Sequence, residues 1–369
     1  MIYLDNAATT FPKPKNVYKA VDSLLRKYCA NPGRSGHDMA MRCAEEIYDT
    51  REAIASYFSL RGPERVCFVS SATEALNTAI KGAIKEKCQV IISDLEHNSV
   101  LRPLYKLREK FGIDISVFDS SKPLKQAIDE VITDSARFIV TTLRSNVIGC
   151  GPDITELSDI ARSRGLRLIA DGSQLAGHKK IQLSQTDIEI FCTSGHKGLF
   201  GIPGTGLILF NKDAYIDTLK EGGTGGDSSL PYSPEHLPDR FEAGTQNVPG
   251  IISLKKGIEF LKRFKEGELE ALGENLNSKL MDILSSQKGL TLYGCNGGIA
   301  SFNIKGYQSS EVGYELNKSQ IYVRCGLHCA PLIHRKLGTD ERGAVRVSLS
   351  VFNTYNDIDR LYKALKSLI

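Results

Sequence analysis

Ile188-Glu189-Ile190-Phe191-Cys192-Thr193-Ser194-Gly195-His196-Lys197-Gly198 is the stretch on which the reading of this chain turns. It starts as a short, nearly continuous apolar run and stops abruptly in a polar loop between glycines. A run of that length with little alternation reads as a strand buried on both faces, which occurs where helices cover both sides of a parallel sheet. The same grammar recurs along the chain. Strands are expected at Val66–Ser70, Val90–Ser93, Ile113–Phe118, Arg137–Leu143, Leu166–Ala170, Ile188–Thr193 and Gly206–Phe210. Amphipathic stretches at Thr73–Ile84, Leu101–Phe111, Leu124–Thr133 and Ile154–Arg164 separate most of them. Strands alternating with helices of that length imply crossover connections and an α/β domain on a mainly parallel, seven-stranded sheet.

Beyond about Gly250 the rhythm changes. Helical patterns at Ile251–Phe264 and Gly267–Ser286 lead into strands at Leu290–Tyr293 and Ile299–Asn303. A helix at Ser310–Asn317, a strand at Ala344–Ser350 and a last helix at Asp357–Leu368 follow. The expected organisation is a large domain over residues 15–250 and a smaller α+β domain over 251–369. An N-terminal segment, 1–14, beginning with a short strand, is expected to pack with the smaller domain.

Composition narrows the function classes. The chain has 369 residues, 41% hydrophobic and 24% charged, with a net charge of +4 and no long basic run, so nucleic acid is not indicated as a partner. The N-terminus lacks the pattern of a signal peptide, and no apolar run approaches the roughly 18 residues that span a bilayer. Nine scattered cysteines fit a reducing compartment better than a disulfide framework. The expectation is a cytoplasmic protein with no membrane partner.

In such sheets ligands collect outside the carboxyl ends of the strands, so the polar residues there carry the information. Lys197, held in a compact loop, is a candidate Schiff-base amine, the alternative being a basic loop tip. Asp171 ends an apolar strand, where it serves as a turn or cap residue or pairs with a cation such as a protonated pyridine nitrogen. Ser70-Ser71-Ala72-Thr73-Glu74 follows a strand and opens a helix, a natural phosphate site. His97 follows another strand, and Asn146 another. A classical dinucleotide site is disfavoured, because the glycines of Gly201–Gly206 precede a strand and open no helix.

Taken together, these residues resemble the cysteine desulfurases and selenocysteine lyases of the class V aminotransferase superfamily, which use pyridoxal phosphate on the aspartate-aminotransferase-like fold (fold type I). The resemblance runs from "YLDNAATT" (Tyr3–Thr10) to "AVRVSLSVFNT" (Ala344–Thr354). Between them stand "SSATEALN", "EHNSV", "RSNVIG", "ADGSQLAGH", "TSGHKG" and "RFEAGTQN" in the family's order. The resemblance implies that Lys197 carries pyridoxal 5'-phosphate as a covalent aldimine. It implies that Asp171 faces the ring nitrogen, Gln174 the phenolic oxygen and His97 the ring face. Thr73, Ser194 and His196 are implied as phosphate ligands and Ala72 as a further cofactor contact, with Thr245 reaching the phosphate of a second subunit in a homodimer. Asn146 is implied at both cofactor and substrate, and Arg346 and Arg324 on the substrate side, with Arg346 forking an amino-acid carboxylate.

The segment "RCGLHCA" (Arg324–Ala330) is similar to the signature of the SufS-like (group II) desulfurases, which makes Cys329 the nucleophile rather than Cys325. A metal reading of this segment needs two more ligands, and no second Cys/His cluster with zinc spacing exists in the sequence, so no metal is expected. Leu327 and Ser71-Ala72 depart from the usual residues of that group. The implied reaction converts L-cysteine to L-alanine, with sulfur captured as a persulfide on Cys329 and passed to an acceptor protein. Selenocysteine lyase is the near alternative. An aminotransferase, epimerase or β-lyase of the same superfamily is a second, and a catalytically weak scaffold for sulfur-carrier partners a third.

Overall fold

The seven apolar runs form one sheet. In spatial order its strands are Val66–Val69, Gly206–Phe210, Ile188–Ser194, Arg167–Asp171, Ala136–Thr142, Gln89–Ser93 and Asp114–Phe118. All neighbours pair in parallel except at Gly206–Phe210, which runs antiparallel to both strands beside it. The computed structural model describes residues 1–32, 36–225, 229 and 231–369.

Side chains alternate across the sheet as a two-residue period requires. Ile91, Ile139, Leu168 and Phe191 enter a core with the helices Lys15–Lys27, Asp38–Phe58, Ile154–Ser163 and Val248–Leu261. Val90, Ile92, Val140, Ile190 and Cys192 enter a second core, on the other face, with Ala72–Ala83 and Asn98–Phe111. Covering both faces is what made the strands read as unbroken apolar runs.

Two elements of this layer were not anticipated, the helices Lys15–Lys27 and Asp38–Phe58. In the second, the buried stripe Ala40, Cys43, Ile47, Thr50, Ile54 and Phe58 has helical spacing, but small and polar residues hold half of it and dilute the apolar signal. The helix expected at Leu124–Thr133 ends at Asp129. Just beyond it, the carbonyl of Val131 accepts a hydrogen bond from the Gln89 side chain at 2.6 Å.

The C-terminal part forms a second, antiparallel sheet in the order Arg324–Gly326, Ala344–Ser348, Ile299–Ile304, Leu290–Asn296. Helices Glu268–Ser285, Ser309–Lys318 and Tyr355–Lys366 pack against it around Phe302, Val345 and Leu361. The N-terminal strand Ile2–Tyr3 pairs in parallel with Ile321–Tyr322. From there the chain passes Ser348, whose hydroxyl accepts from Ala7 N–H at 2.9 Å, and reaches the lysine loop, where Thr10 N–H donates to the His196 carbonyl at 3.2 Å. The first ten residues thus tie the smaller sheet to the ends of the larger one.

Among the described residues no helix is long and apolar enough to cross a membrane.

Candidate active site

Strand Ile188–Ser194 delivers Lys197 in a tight reversal. Gly195 N–H donates to the Thr205 carbonyl at 2.9 Å, Gly201 N–H to the Gly195 carbonyl at 2.8 Å, and the chain returns as Gly206–Phe210. Two glycines make this geometry possible. A Cβ on Gly198 would sit 2.3 Å from the Ala176 carbonyl oxygen, and one on Gly206 would sit 2.3 Å from the Ser71 backbone. Only glycine lets the lysine loop approach Ala176, and the returning strand approach the start of helix Ala72–Ala83, so closely.

The loop opens onto a cleft of about 100 Å³ at the carboxyl ends of the strands. Ala72, Thr73, His97, Asn146, Asp171, Gln174, Ser194, His196 and Lys197 all line it, from the turns that follow five strands. Five strand-to-loop junctions thus bring together nine of the residues singled out in the sequence. Burial pushes the Lys197 amine down to about 8, against the opposing pull of Asp171. That leaves a substantial neutral fraction near neutral pH, as a nucleophilic or proton-abstracting amine needs.

Asp171 is buried, with one carboxylate oxygen accepting from Ser173 N–H at 2.9 Å. The Gln174 amide donates to the Ala7 carbonyl at 3.0 Å, fixing it against the N-terminal segment. Nδ1 of His97 accepts from Ser99 N–H at 3.0 Å, so the neutral ring carries its hydrogen on Nε2. Burial favours that neutral ring, lowering the His97 pKa against the pull of Asp171. The Ser99 hydroxyl lies 2.9 Å from His97 Nδ1 and 2.8 Å from the Thr73 hydroxyl, joining the ring to the start of helix Ala72–Ala83. Nδ1 of His196 lies 3.0 Å from the Thr9 hydroxyl, and burial drives its pKa to about 4.

These residues fit pyridoxal phosphate. The Ser194 hydroxyl is buried without a hydrogen-bond partner, as is that of Ser173. Ser194 lies in the same cleft as the first turn of helix Ala72–Ala83, whose free N–H groups and dipole favour an anion. A depressed lysine, a buried carboxylate and an anion cradle in one cleft are the donor set that a phosphorylated pyridine aldehyde requires.

Four expected residues are not among the cleft's lining. Thr245 is exposed and lines a separate hollow with Gly204, Gly206 and Lys220. Arg346 is 2% exposed; one nitrogen pairs with Asp5 at 2.7 Å, another donates to the Asn146 carbonyl at 3.0 Å, and Nε has no partner. Arg324 is exposed.

Cys329 is also exposed, on a loop between strand Arg324–Gly326 and helix Pro331–Lys336, two short elements not anticipated from the sequence. Its carbonyl accepts from Asn98 N–H at 2.7 Å, and the Asn146 amide donates to the His328 carbonyl at 2.7 Å. The loop is therefore fastened to the residue after His97 and to a residue of the cleft. Cys325 differs. Its sulfur packs against Gly313, and burial pushes its thiol up to about 11.

Sequence reasoning passed over Glu96 and Arg144. Glu96 is fully buried and accepts from the Thr141 hydroxyl at 2.9 Å, from Thr142 N–H and from the Ser93 hydroxyl, locking the turn that carries His97. Burial raises it to about 7. Arg144 lines the cleft, and burial lowers it to about 10. Glu96 stood in the quoted "EHNSV", but a strand-end glutamate carries no mark that it is buried. Asp5, the partner of Arg346, likewise gave no sign of contact across more than 300 residues.

The model of the aminotransferase class-V family matches residues 2–361. This chain belongs to that family. Within the class-V aminotransferases, a probable cysteine desulfurase of Methanothermobacter thermautotrophicus is 30% identical over 382 residues, covering 100% of this chain and 94% of that protein. A cysteine desulfurase of Escherichia coli is 28% identical over 384 residues, covering 100% and 93%. Among solved structures, the apo cysteine desulfurase of Thermococcus onnurineus superposes with a TM-score of 0.91 at 28% identity, covering 100% of this chain and 94% of that one. The chain is a class-V enzyme with the aspartate-aminotransferase-like, fold type I architecture expected from its sequence.

Proposed function

We propose that the protein is a cysteine desulfurase, converting L-cysteine to L-alanine and capturing the sulfur as a persulfide on Cys329. The carrying observation is the placement of Cys329. An exposed thiol stands on a loop whose backbone is fastened, at 2.7 Å in each case, to Asn98 beside His97 and to Asn146 of the lysine cleft. The named relatives add the reaction class.

Pyridoxal 5'-phosphate, when bound, supplies an electron sink conjugated to the α-carbon of an amino acid. Lys197 would hold it covalently, Asp171 and Gln174 would meet the ring, and Ala72, Thr73, Ser194 and His196 the phosphate. The neutral amine of Lys197 removes the substrate's α-proton and later returns a proton to carbon. His97, neutral with hydrogen on Nε2, would face the ring and can donate within the cleft. The Cys329 thiolate attacks the substrate sulfur, forming an S–S bond as the Cβ–S bond breaks. The electron pair of that bond stays with the three-carbon unit, which takes up a proton and leaves as alanine. A thiolate is required because the neutral thiol is a poor nucleophile. Arg346 and Arg324 are read as receiving the substrate carboxylate, which requires Arg346 to share itself between Asp5 and the substrate.

Thr245, exposed outside its own lysine cleft, fits the reading of a homodimer in which it completes the phosphate site of a second copy. An acceptor protein then takes the persulfide sulfur, in the manner of the group II enzymes.

The test uses protein loaded with pyridoxal phosphate and incubated with L-cysteine, with alanine, sulfide and persulfide quantified beside Cys329→Ser. Equal alanine and sulfur from wild type, with alanine lost in the variant while cofactor absorbance persists, establishes the activity. Pyruvate and ammonia in place of alanine would make it a β-lyase. Turnover of selenocysteine without that of cysteine would make it a selenocysteine lyase.

A further inference from the structure

His328 and Cys329 are consecutive non-glycine residues in the left-handed region, at φ 49° and 58°. L-residues enter that region singly and at a cost, so two in succession need restraint from outside the loop. Two bonds to the pair's carbonyls, from Asn98 N–H and from the Asn146 side-chain amide, supply part of it. The rest comes from a chain of buried side chains behind the loop. His328 Nδ1 lies 3.1 Å from His334 Nε2, and His334 Nδ1 lies 2.8 Å from the Thr339 hydroxyl. His328 Nε2 lies 3.4 Å from the Arg324 carbonyl. The two rings stack at 5.3 Å, and His334 and Thr339 are fully buried.

The chemistry of the end groups sets the direction of this chain. The Arg324 carbonyl only accepts, so His328 carries its hydrogen on Nε2, and its Nδ1 is an acceptor. His334 must then donate from Nε2, which leaves its Nδ1 to accept from the Thr339 hydroxyl. The Thr339 hydroxyl also lies 3.2 Å from the His334 carbonyl, but that carbonyl already accepts from Thr339 N–H at 2.9 Å, so with both rings neutral this arrangement is the one that gives every ring nitrogen a partner. A proton added to His328 Nδ1 would set two N–H groups against each other at 3.1 Å, whereas one added to His334 Nδ1 would turn the Thr339 hydroxyl round, its hydrogen passing to the His334 carbonyl at 3.2 Å.

We propose that His334 is a positioning residue for the reacting thiol, holding the left-handed pair His328-Cys329 through its Nε2–H bond to His328, with Thr339 fixing its tautomer. The proposal rests on the reading of Cys329 as nucleophile. His334 touches no substrate. It acts by locking the ring whose own backbone carries Cys329, so that the thiol meets the substrate sulfur in line and does not sample the more extended conformations its residue type prefers.

The test uses full-length protein loaded with pyridoxal phosphate, as wild type, His334→Ala, His334→Gln and Thr339→Val. Histidine-ring ¹⁵N spectra should show His328 and His334 both neutral with hydrogen on Nε2, assigned by their loss or shift in the variants. With L-cysteine, His334→Ala should lose about tenfold in kcat for alanine, the consequence of an unmet buried acceptor on His328, with KM within about twofold and cofactor absorbance unchanged. His334→Gln keeps a donor and an acceptor at the same reach and should restore most of the rate, which a merely space-filling role would not. Should His334→Ala not fold, Thr339→Val reads the same chain. It should give a mixed tautomer at His334 and about a threefold lower kcat, on the assumption that about half the loss of an unmet bond follows from a misdirected one. An Nδ1–H tautomer at His334, an unchanged kcat in His334→Ala, or a glutamine variant as slow as the alanine one would overturn the proposal. Wild type that makes no alanine would instead sink the reading of Cys329, and the spectrum would still decide whether the hydrogen-bonded row exists.

Discussion

The lysine loop and the cysteine loop stand near the same cleft and are built on opposite principles. Lys197 sits in a hairpin reversal closed by backbone bonds, with glycines where neighbouring backbone approaches most closely and apolar cores beneath it. Cys329 sits on an exposed loop, in a left-handed conformation that its residue type disfavours. A few directional contacts and the small cluster of Leu95, Val147, Ala330 and Ile333 hold that loop to the turns beyond strands Gln89–Ser93 and Ala136–Thr142. The difference suits the two tasks proposed for these residues. A group that moves a proton over a fixed ring gains from rigid preorganisation, whereas a group that must take up a sulfur and hand it on has to stay reachable.

The strongest way to break this comparison is at the lysine. Lys197→Ala should abolish alanine formation, by about 10³-fold or more, since it removes both the anchoring amine and the proton carrier. A linkage trapped by borohydride at another lysine would show that the centre lies elsewhere. Cys329→Ser should lose alanine formation by at least about a hundredfold, because a serine hydroxyl is almost never ionised near neutral pH. The α-proton of bound cysteine should still exchange with D₂O in that variant. Exchange lost along with alanine would mean that the two loops form one inseparable unit.

A pH profile sharpens the lysine half. Burial disfavours the ammonium form, so the neutral, reactive amine of Lys197 prevails above about 8 rather than above the usual lysine value. In cofactor-free protein, reductive trapping of a small aldehyde at Lys197 should therefore rise with pH and reach half its maximum near 8. Surface lysines should follow about two units later. A Lys197 profile that coincides with theirs would show an amine still solvated.

The two loops were also unequally legible from the sequence. The strands reported themselves through continuous apolar runs, because burial on both faces leaves no polar alternation to confuse them. Residues at their carboxyl ends then fell into one cleft by topology alone, which is why Thr73, His97, Asn146, Asp171, Ser194 and Lys197 could be expected together. The cysteine loop offered no such period. Its flanking strand has three residues and its helix six, too short for either pattern to appear. Its fastening depends on Asn98, Asn146 and His334, whose pairings are made in three dimensions. Glu96 and Asp5 were missed for the same reason, since a carboxylate in a sequence does not announce its partner.

A smaller effect is expected where the cysteine loop's helix meets the ends of strands Gln89–Ser93 and Asp114–Phe118. Lys336 pairs with Asp94 at 2.5 Å and with Asp119 across a partly exposed surface. Pairs of this kind contribute under about 1 kcal/mol after solvent screening. Lys336→Ala should therefore slow alanine formation by no more than about threefold, and wild type in high salt should move the same way. A loss above about tenfold would show that the helix depends on this pair far more than its exposure implies.

The smallest effect is expected at Cys325, four residues before Cys329. The two cysteines look equivalent in "RCGLHCA", and the structure separates them by what each faces. Cys325 lies in a strand paired with Val345, and its sulfur packs so closely on Gly313 that a Cβ there would come within 2.5 Å. Burial holds its thiol near 11, so it is almost never a thiolate at neutral pH. Cys325→Ala should leave alanine formation within about twofold of wild type and cost only modest stability, as small changes at part-buried sites do. Mass spectrometry of peroxide-treated protein should then find oxidation products at Cys329 and no Cys325–Cys329 disulfide. A disulfide in appreciable yield would mean that strand Arg324–Gly326 leaves its sheet readily, and that the cysteine loop is mobile well beyond the two left-handed residues at its tip.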